Sequence, residues 1–430
     1  MNARNGILYI SCWSLFEPQC QRLNVDPLRR LARLGYTVHL ITFERPPYRS
    51  ANSAEETRRR AALFDEGIWW HPVRYHHRPL LLAKAWDGLH AWWTGWRILQ
   101  RHPIGVMHAR SEFPCVIAVL LSLVARRPIL YESDAPIAEE RADTGVWRRD
   151  GFVHRVTCAF ERWLPSRVQE IVVLSRRYAE RLRQDGVRAP ITVIPSCADV
   201  ERFVRNEEQR ALLRTAHDWT NRLVIVYSGS LGGWYQFEAM ADFFAQLHAV
   251  MPETHWLCLV NDDPAKARAL AERHGVPPEA LTVRSVPVDE VPRWLSAADV
   301  ALAFIRAGSS KFASSPTKTA EYLACGLPIL MTGGVGDTED LAAQREVAHV
   351  LRGMRPDAYA EAIEWLRWLA PRWPDAVARC RETAVTQLSV QQTSVGRYHR
   401  IYQRLLGMAP TDLPAATEAP AAAPSEVASA

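Results

Sequence analysis

No apolar stretch in the 430 residues approaches the roughly 20 needed to span a membrane. The longest, FPCVIAVLLSLVA at 113–125, reads as a buried helix. The opening MNARNGILYISCW carries an apolar run too short for an export signal, so it reads as a first core strand. The eight cysteines are scattered and form no CxxC; they read as reduced thiols of a cytoplasmic protein. No His/Cys/Asp set has zinc spacing, so no metal is expected. GxSxG is absent, and no Ser-His-Asp arrangement can be argued. The dinucleotide pattern GxGxxG is also missing. A net charge of +5 suits phosphorylated substrates or an anionic membrane face, but it is no nucleic-acid signature. Heptads and internal repeats are not found.

What the sequence does contain is short apolar runs alternating with helical patterns. GILYI (6–10), TVHLITF (37–43), IGVMHA (104–109), ILYE (129–132), EIVVL (170–174) and ITVI (191–194) read as strands covered on both faces. A second series follows: LVIVYSG (223–229), HWLCLV (255–260), LTVRSV (281–286), DVALAF (299–304), PILM (328–331) and AHVL (348–351). This βαβ grammar used twice predicts an α/β protein of two doubly wound, Rossmann-like domains. The boundary is placed near PSCADVERFVRNEEQ (195–209), giving domains at 1–200 and 201–392. TSVGRYHRIYQRLL (393–406) reads as a last helix. The tail 409–430 is poor in large apolar residues and is expected to be disordered.

Two stretches carry chemistry. In SSPTKTAEYLACGLPI (314–329), Ser315 can cap a helix of about three turns, Pro316 suits its first position, and Gly326 and Pro328 end it. The free amides of that helix start, with Lys318, form an anion site. Glu321 lies one turn deeper on the same face, where a carboxylate suits sugar hydroxyls. Together they point to a nucleotide-sugar; a capped surface helix with an i, i+3 ion pair is the plain alternative. The second stretch, YSGSLGGWYQ (227–236), is a glycine-rich turn between a strand and a helix, which lets backbone approach a diphosphate. Both lie at carboxyl ends of strands, the edge where open α/β sheets bind ligands.

PTKTAEYLACGLPI resembles the donor-site helix of the family 4 glycosyltransferases of GT-B fold, the retaining group of bacterial surface-polysaccharide type. SGSLGGWY resembles their diphosphate loop, and the likeness runs over roughly 6–407. It implies a GT-B enzyme whose two domains face a cleft, acceptor-binding first and donor-binding second, with 393–407 returning to the first. Glu321 would hold the ribose. Lys318, Pro316 and Thr317 would meet donor phosphate or sugar, and Gly229, Ser230, Gly232 and Gly233 would line the diphosphate. Arg110 and Ser111 would face the acceptor. The departures are specific. Ala313 stands where many members carry a first Glu. Trp234 and Tyr235 replace a basic pair. Glu132, near Asp134, stands in for a strand-end His, so Glu132 joins Lys318 as the catalytic assignment. The resemblance implies retention, no metal and no cofactor beyond the nucleotide-sugar co-substrate. A GT-B epimerase or a non-catalytic partner subunit are the competing readings.

The segment 68–102 holds six of the sixteen tryptophans. Trp86, Leu89, Trp93 and Trp96 share a helical face beside Lys84, Arg97 and Arg101. A helix resting on lipid and a helix packed on its own sheet both look like this; we adopt the packed reading. A glycan or lipid-linked acceptor and peripheral contact with the inner membrane face remain candidate partnerships. VNDDP (260–264) reads as a helix cap, His108 as a satisfied core residue, His76 and His77 as solvated, and Glu139, Glu140, Arg141 and Asp143 as a solvated or cleft-lip face.

Overall fold

The computed structural model describes residues 5–45, 53–76 and 80–413. His77 and the tail beyond 413 lie outside them. Seven parallel strands form the first sheet: β1 Gly6–Ser11, β2 Thr37–Glu44, β3 Ile68–Arg74, β4 Ile104–Arg110, β5 Ile129–Ser133, β6 Glu170–Val173 and β7 Ile191–Val193. Their order is β3-β2-β1-β4-β5-β6-β7. The second sheet holds β8 Leu223–Gly229, β9 Thr254–Val260, β10 Leu281–Arg284, β11 Val300–Ala303, β12 Ile329–Thr332 and β13 Ala348–Leu351, in the order β10-β9-β8-β11-β12-β13. Each order reverses about its first strand, the signature of a doubly wound sheet with a ligand crevice at the switch point. Strands such as β1, β4, β5 and β9 are buried along their whole length, because helices cover both faces.

The pattern did not mark β3, and its position explains why. It is an edge strand, so Pro72, opposite Thr42, costs no ladder bond on the open side. Trp70 is buried and donates its indole N–H to Thr42 Oγ1 at 2.7 Å, while Trp69 is partly exposed. The IWWHP stretch therefore belongs to the sheet, and the helix of the Trp-rich segment runs over Leu80–Arg101.

Two chain crossings join the domains. They pair with each other through Ala198 and Ser389, with Ala198 N–H donating to Leu388 O and Val390 N–H to Ala198 O. The second crossing is a π-helical turn, Val390–Val395, that runs into the helix Gly396–Leu406. Val395, Tyr398, Ile401 and Tyr402 of this segment pack with Ile7, Tyr9, Val38 and Leu40 of the first sheet. The last described helix thus packs on the domain where the chain began.

Candidate active site

The helix Thr317–Ala324 is shorter than its motif suggested, eight residues, and Ser315 does not cap it. Pro316 holds the cap position without a side-chain bond, and Ser315 Oγ instead accepts from Ser196 N–H across the cleft at 3.0 Å. Gly326 does take the left-handed conformation, with φ of 71°. Tyr322 ties the helix to the end of β8: its hydroxyl accepts from Ser228 N–H at 2.8 Å. The helix tip and the glycine loop are thereby held side by side.

Lys318 lies under that junction. Its Nζ is buried without a hydrogen-bond partner, and a side chain at Gly229 would place its Cβ 2.3 Å from it. The rings of Tyr235 and Tyr227 approach Nζ at 3.5 and 4.5 Å. Burial pulls the amine down from 10.5 to about 7, and Glu321 opposes that fall. Glu321 is itself buried, and burial raises its carboxyl against the pull of Arg22 and Lys318. Its partner is Arg22 of the first domain, at 3.1 Å, so Glu321 points into the interdomain crevice.

Trp234 and Tyr235, in place of a basic pair, gather cations on their faces. Lys311 Nζ stands 3.6 Å and the Arg306 guanidinium 5.0 Å from the Trp234 ring. Asp262 accepts from Leu231 N–H at 2.7 Å and fixes the glycine loop, a role sequence did not show; Asp263 caps the next helix, as VNDDP predicted. Gly232 and Gly233 have open space where a Cβ would be, which leaves their backbone accessible.

The cleft cavity is about 870 Å³. Pro316, Thr317, Trp234 and Tyr235 line it from the second domain; Arg110, Ser111, Glu112 and Asp134 line it from the first. A larger hollow of about 1330 Å³ lies between β12, β13 and the helix Pro356–Leu369. None of the expected site residues lines it.

On the first-domain side the structure separates Glu132 from Asp134. Glu132 sits beneath the cleft floor, 2% exposed, between Arg110 at 2.9 Å and His108 at 3.2 Å. Burial works to raise its pKa, but Arg110 and the His108 hydrogen bond hold it below the usual range. Asp134 takes the outer side of Arg110, at 2.6 Å, and reaches the cavity. Burial pushes its carboxyl up against the pull of Arg110. Arg110 is 3% exposed, also donates to Leu23 O and Asn24 Oδ1, and stacks 4.8 Å from Trp13. Ser111, with φ of 76°, is in a conformation rare for a residue with a side chain, and its Oγ lies 3.4 Å from Asp134. Glu112, next to it, was missed by sequence. Burial pushes its carboxyl up to about 8, and Tyr131 OH donates to it at 3.2 Å. His108 is satisfied as expected, bonding Tyr402 at 2.7 Å and so linking the returning helix to Glu132.

Other expectations change on contact with the fold. Ala313 is fully buried in the first domain's apolar cluster, beside Phe312 and Tyr178. A carboxylate placed there would be desolvated. The acidic group at 139–143 is a cleft lip: Asp143 accepts from Ser309 Oγ and Ser310 N–H, and Arg149 bridges Glu139 and Asp143. Opposite it, Arg176 and Arg177 pair with Asp340 and Glu339. His76 is not simply solvated; its Nδ1 pairs with buried Asp87 at 2.5 Å. Glu139, His154 and Cys158 bring donor atoms within 4.8 Å of one another, though Glu139 is engaged by Arg149 and Ser309. The packed reading of the Trp-rich helix holds only in part. Trp92 and Trp96 pack inward, whereas Leu82, Trp86, Leu89 and Trp93 are exposed.

Two facing doubly wound domains, with a helix tip beside a glycine loop at the strand ends of the second, have the architecture of the GT-B glycosyltransferases. The comparisons with known proteins specify it further. Residues 22–202 match the family described as Glycosyltransferase Family 4, and residues 222–367 match Glycosyl transferases group 1. The chain belongs to the family 4 glycosyltransferases. No curated protein matches it by sequence. Similar solved structures include HepE of Anabaena in complex with UDP and glucose, 14% identical, TM-score 0.68, covering 94% of this chain and 100% of that one. Sucrose-phosphate synthase from Thermosynechococcus elongatus gives 16%, 0.68, 94% and 100%. WaaG, a glycosyltransferase involved in lipopolysaccharide biosynthesis, gives 17%, 0.62, 93% and 100%.

Proposed function

We propose that the protein moves a sugar from a nucleotide diphosphate-sugar to an acceptor hydroxyl, with retention and without a catalytic metal, in synthesis of surface polysaccharide or glycolipid. Residues 201–392 hold the donor; residues 1–200 and the returning segment 393–407 hold the acceptor. The observation that carries this reading is the triple juxtaposition of the helix tip at Thr317, the Lys318 amine beneath Gly229, and Glu321 facing the opposite domain. The anomeric C–O bond breaks, and the acceptor oxygen bonds to the anomeric carbon as its proton passes to an oxygen of the departing nucleoside diphosphate. Charge gathering on the leaving phosphate is met by Lys318, the amides of Thr317 and Lys318, and the loop from Gly229 through Ser230 to Gly233. Arg306 and Lys311 add a positive field from the Trp234 face. On the acceptor side, Asp134 and Ser111 meet the hydroxyl. Glu132 positions Arg110, which in turn orients Asp134.

Uridine is the base to test first, because HepE, with the same fold, is described with UDP and glucose. Thermal unfolding in the presence of UDP, GDP and ADP is expected to show one of them raising the transition temperature, since a ligand bound only to the native state stabilises it. Glu321→Gln should abolish most of that rise. No rise with any of the three, or a rise indifferent to Glu321, sinks the assignment and favours a non-catalytic partner subunit.

A cytoplasmic location at the inner membrane face completes the proposal. No described helix is long and apolar enough to cross a membrane. The exposed Leu82, Trp86, Leu89 and Trp93 follow helical spacing beside exposed Lys84 and Arg97. The neighbouring helix Glu112–Ala125 adds exposed Leu120, Leu123 and Val124. An apolar face edged by cations suits anionic headgroups and brings a lipid-linked acceptor to the cleft.

A further inference from the structure

Few cations face the donor site from its own domain: Lys318 beneath the loop, and Arg306 and Lys311 on the Trp234 ring. The diphosphate of a nucleotide-sugar carries two negative charges, yet the positions after the glycine loop hold Trp234 and Tyr235. The cations around the cleft are mostly committed elsewhere. Arg110 is locked between Glu132 and Asp134. Arg45 pairs with Glu17 at 2.7 Å, and Lys311 lies 3.5 Å from Glu140. Lys318 is buried beneath the loop.

Arg22 is different. It belongs to the π-helical turn Gln21–Val25 that leads into the first long helix of the acceptor domain, and it lies on the way from β1. π-Turns recur at functional sites because they push one residue out of helical register. The Arg22 side chain is one-third exposed. It lines a small cavity of the first domain together with Arg110, Pro195, Ser196 and Tyr398, and its guanidinium reaches across to the second domain only at Glu321. Its ion-pair partner is Glu321, the carboxylate read above as the ribose acceptor. A ribose diol and a guanidinium would compete for the same carboxylate oxygens. On that reading the diphosphate lies toward the glycine loop, under which the Lys318 amine is buried.

We infer that Arg22 is a donor-binding residue supplied by the opposite domain: it pairs with Glu321 until the ribose hydroxyls claim that carboxylate, and then turns its guanidinium to the diphosphate. This rests on the reading of Glu321 as the ribose acceptor. The exchange keeps the guanidinium paired, because Arg22 releases one anion only as it gains another, while Glu321 gains the ribose hydroxyls as donors and keeps Lys318 as its nearby cation. It also gives the donor a contact from both domains, so binding favours their closure. A bidentate guanidinium suits a phosphate better than an ammonium does, so lysine should replace it only in part.

The test is calorimetric titration of UDP, GDP and ADP, and of uridine, guanosine and adenosine, into the full chain. Wild type, Arg22→Gln, Arg22→Lys and Glu321→Gln are compared. Arg22→Gln is expected to weaken the preferred diphosphate by about tenfold or more. It should leave the matching nucleoside unchanged or bound more tightly, since the competitor for Glu321 is gone. Arg22→Lys should fall between wild type and Arg22→Gln. Equal diphosphate affinity in wild type and Arg22→Gln, with Glu321→Gln impaired, overturns the role of Arg22 and leaves the ribose reading standing. Tighter binding of nucleoside and diphosphate alike in Arg22→Gln makes Arg22 a mere plug and also overturns it. An unimpaired Glu321→Gln overturns the ribose reading itself. Thermal unfolding of each variant separates a binding defect from misfolding, and Arg22→Lys keeps the charge if Arg22→Gln fails to fold.

Discussion

Donor affinity should fall as pH rises above neutrality, and the group responsible is Lys318. In the free enzyme burial brings its amine down from 10.5 to about 7. That displacement corresponds to roughly 5 kcal/mol of disfavour for the charged form. The faces of Tyr235 and Tyr227 favour the ammonium and moderate the cost. A diphosphate beside Nζ restores the high pKa, so binding takes up a proton whenever the free amine is neutral. With a midpoint near 7, about nine in ten molecules carry the charge at pH 6 and about one in ten at pH 8. Only the charged fraction is ready to bind, so apparent affinity should drop about tenfold between those pH values. A nucleotide-sugar is the right probe, because its esterified diphosphate does not itself titrate in this range. Calorimetry in two buffers of different ionisation enthalpy should register close to one proton taken up at pH 8 and almost none at pH 6. The stability of the free enzyme should move the other way. Its folded pKa is depressed, so the unfolded chain binds the extra proton between about 7 and 10.5, and stability from this group rises with pH across that window. Lys318→Arg, charged throughout, should bind with a flat profile. An affinity that is flat from pH 6 to pH 9 in wild type, or a Lys318→Arg profile as steep as wild type, refutes the reasoning.

Asp299 is 5% exposed and holds Arg210 at 2.5 Å, Arg214 at 3.0 Å and Val224 N–H at 2.8 Å. Asp299→Asn leaves two guanidinium groups short of their counter-charge and should cost about 3–5 kcal/mol in urea unfolding; a loss under 1 kcal/mol would show that the pair is dispensable. Replacing Trp86, Leu89 and Trp93 together by serine should cost about 1–3 kcal/mol and leave the chain folded, because all three are at least half exposed. The same variant should lose co-sedimentation with vesicles containing anionic phospholipid; retained sedimentation removes the membrane proposal.

Twelve of the thirteen strands stand within a residue or two of the apolar runs that predicted them, from GILYI at β1 to AHVL at β13. This follows from local physics. A parallel strand covered on both faces must be apolar along its length, and that shows in five or six consecutive letters. β3 escaped because an edge strand is held to no such rule and can carry Pro72 within it. The helix Thr317–Ala324 was legible for a similar reason. Proline before it, Gly326 after it and Lys318 with Glu321 one turn apart are constraints within a dozen residues of chain.

Tertiary structure decided what no short window contains. Glu132 and Asp134 are two residues apart at the end of one strand, and sequence could not rank them. The sheet buries the first under Arg110 and leaves the second on the cleft wall. Arg22 and Glu321 are separated by 299 positions and meet only because two domains face each other. Trp92 and Trp93 are neighbours in sequence, yet one packs inward and the other faces out, by the rotation of a helix against a sheet that periodicity alone does not orient. Patterning along the chain records what each residue must be buried against, and so it yields the elements. Which charges share a site is a property of distances between elements, and those exist only once the two cores have formed.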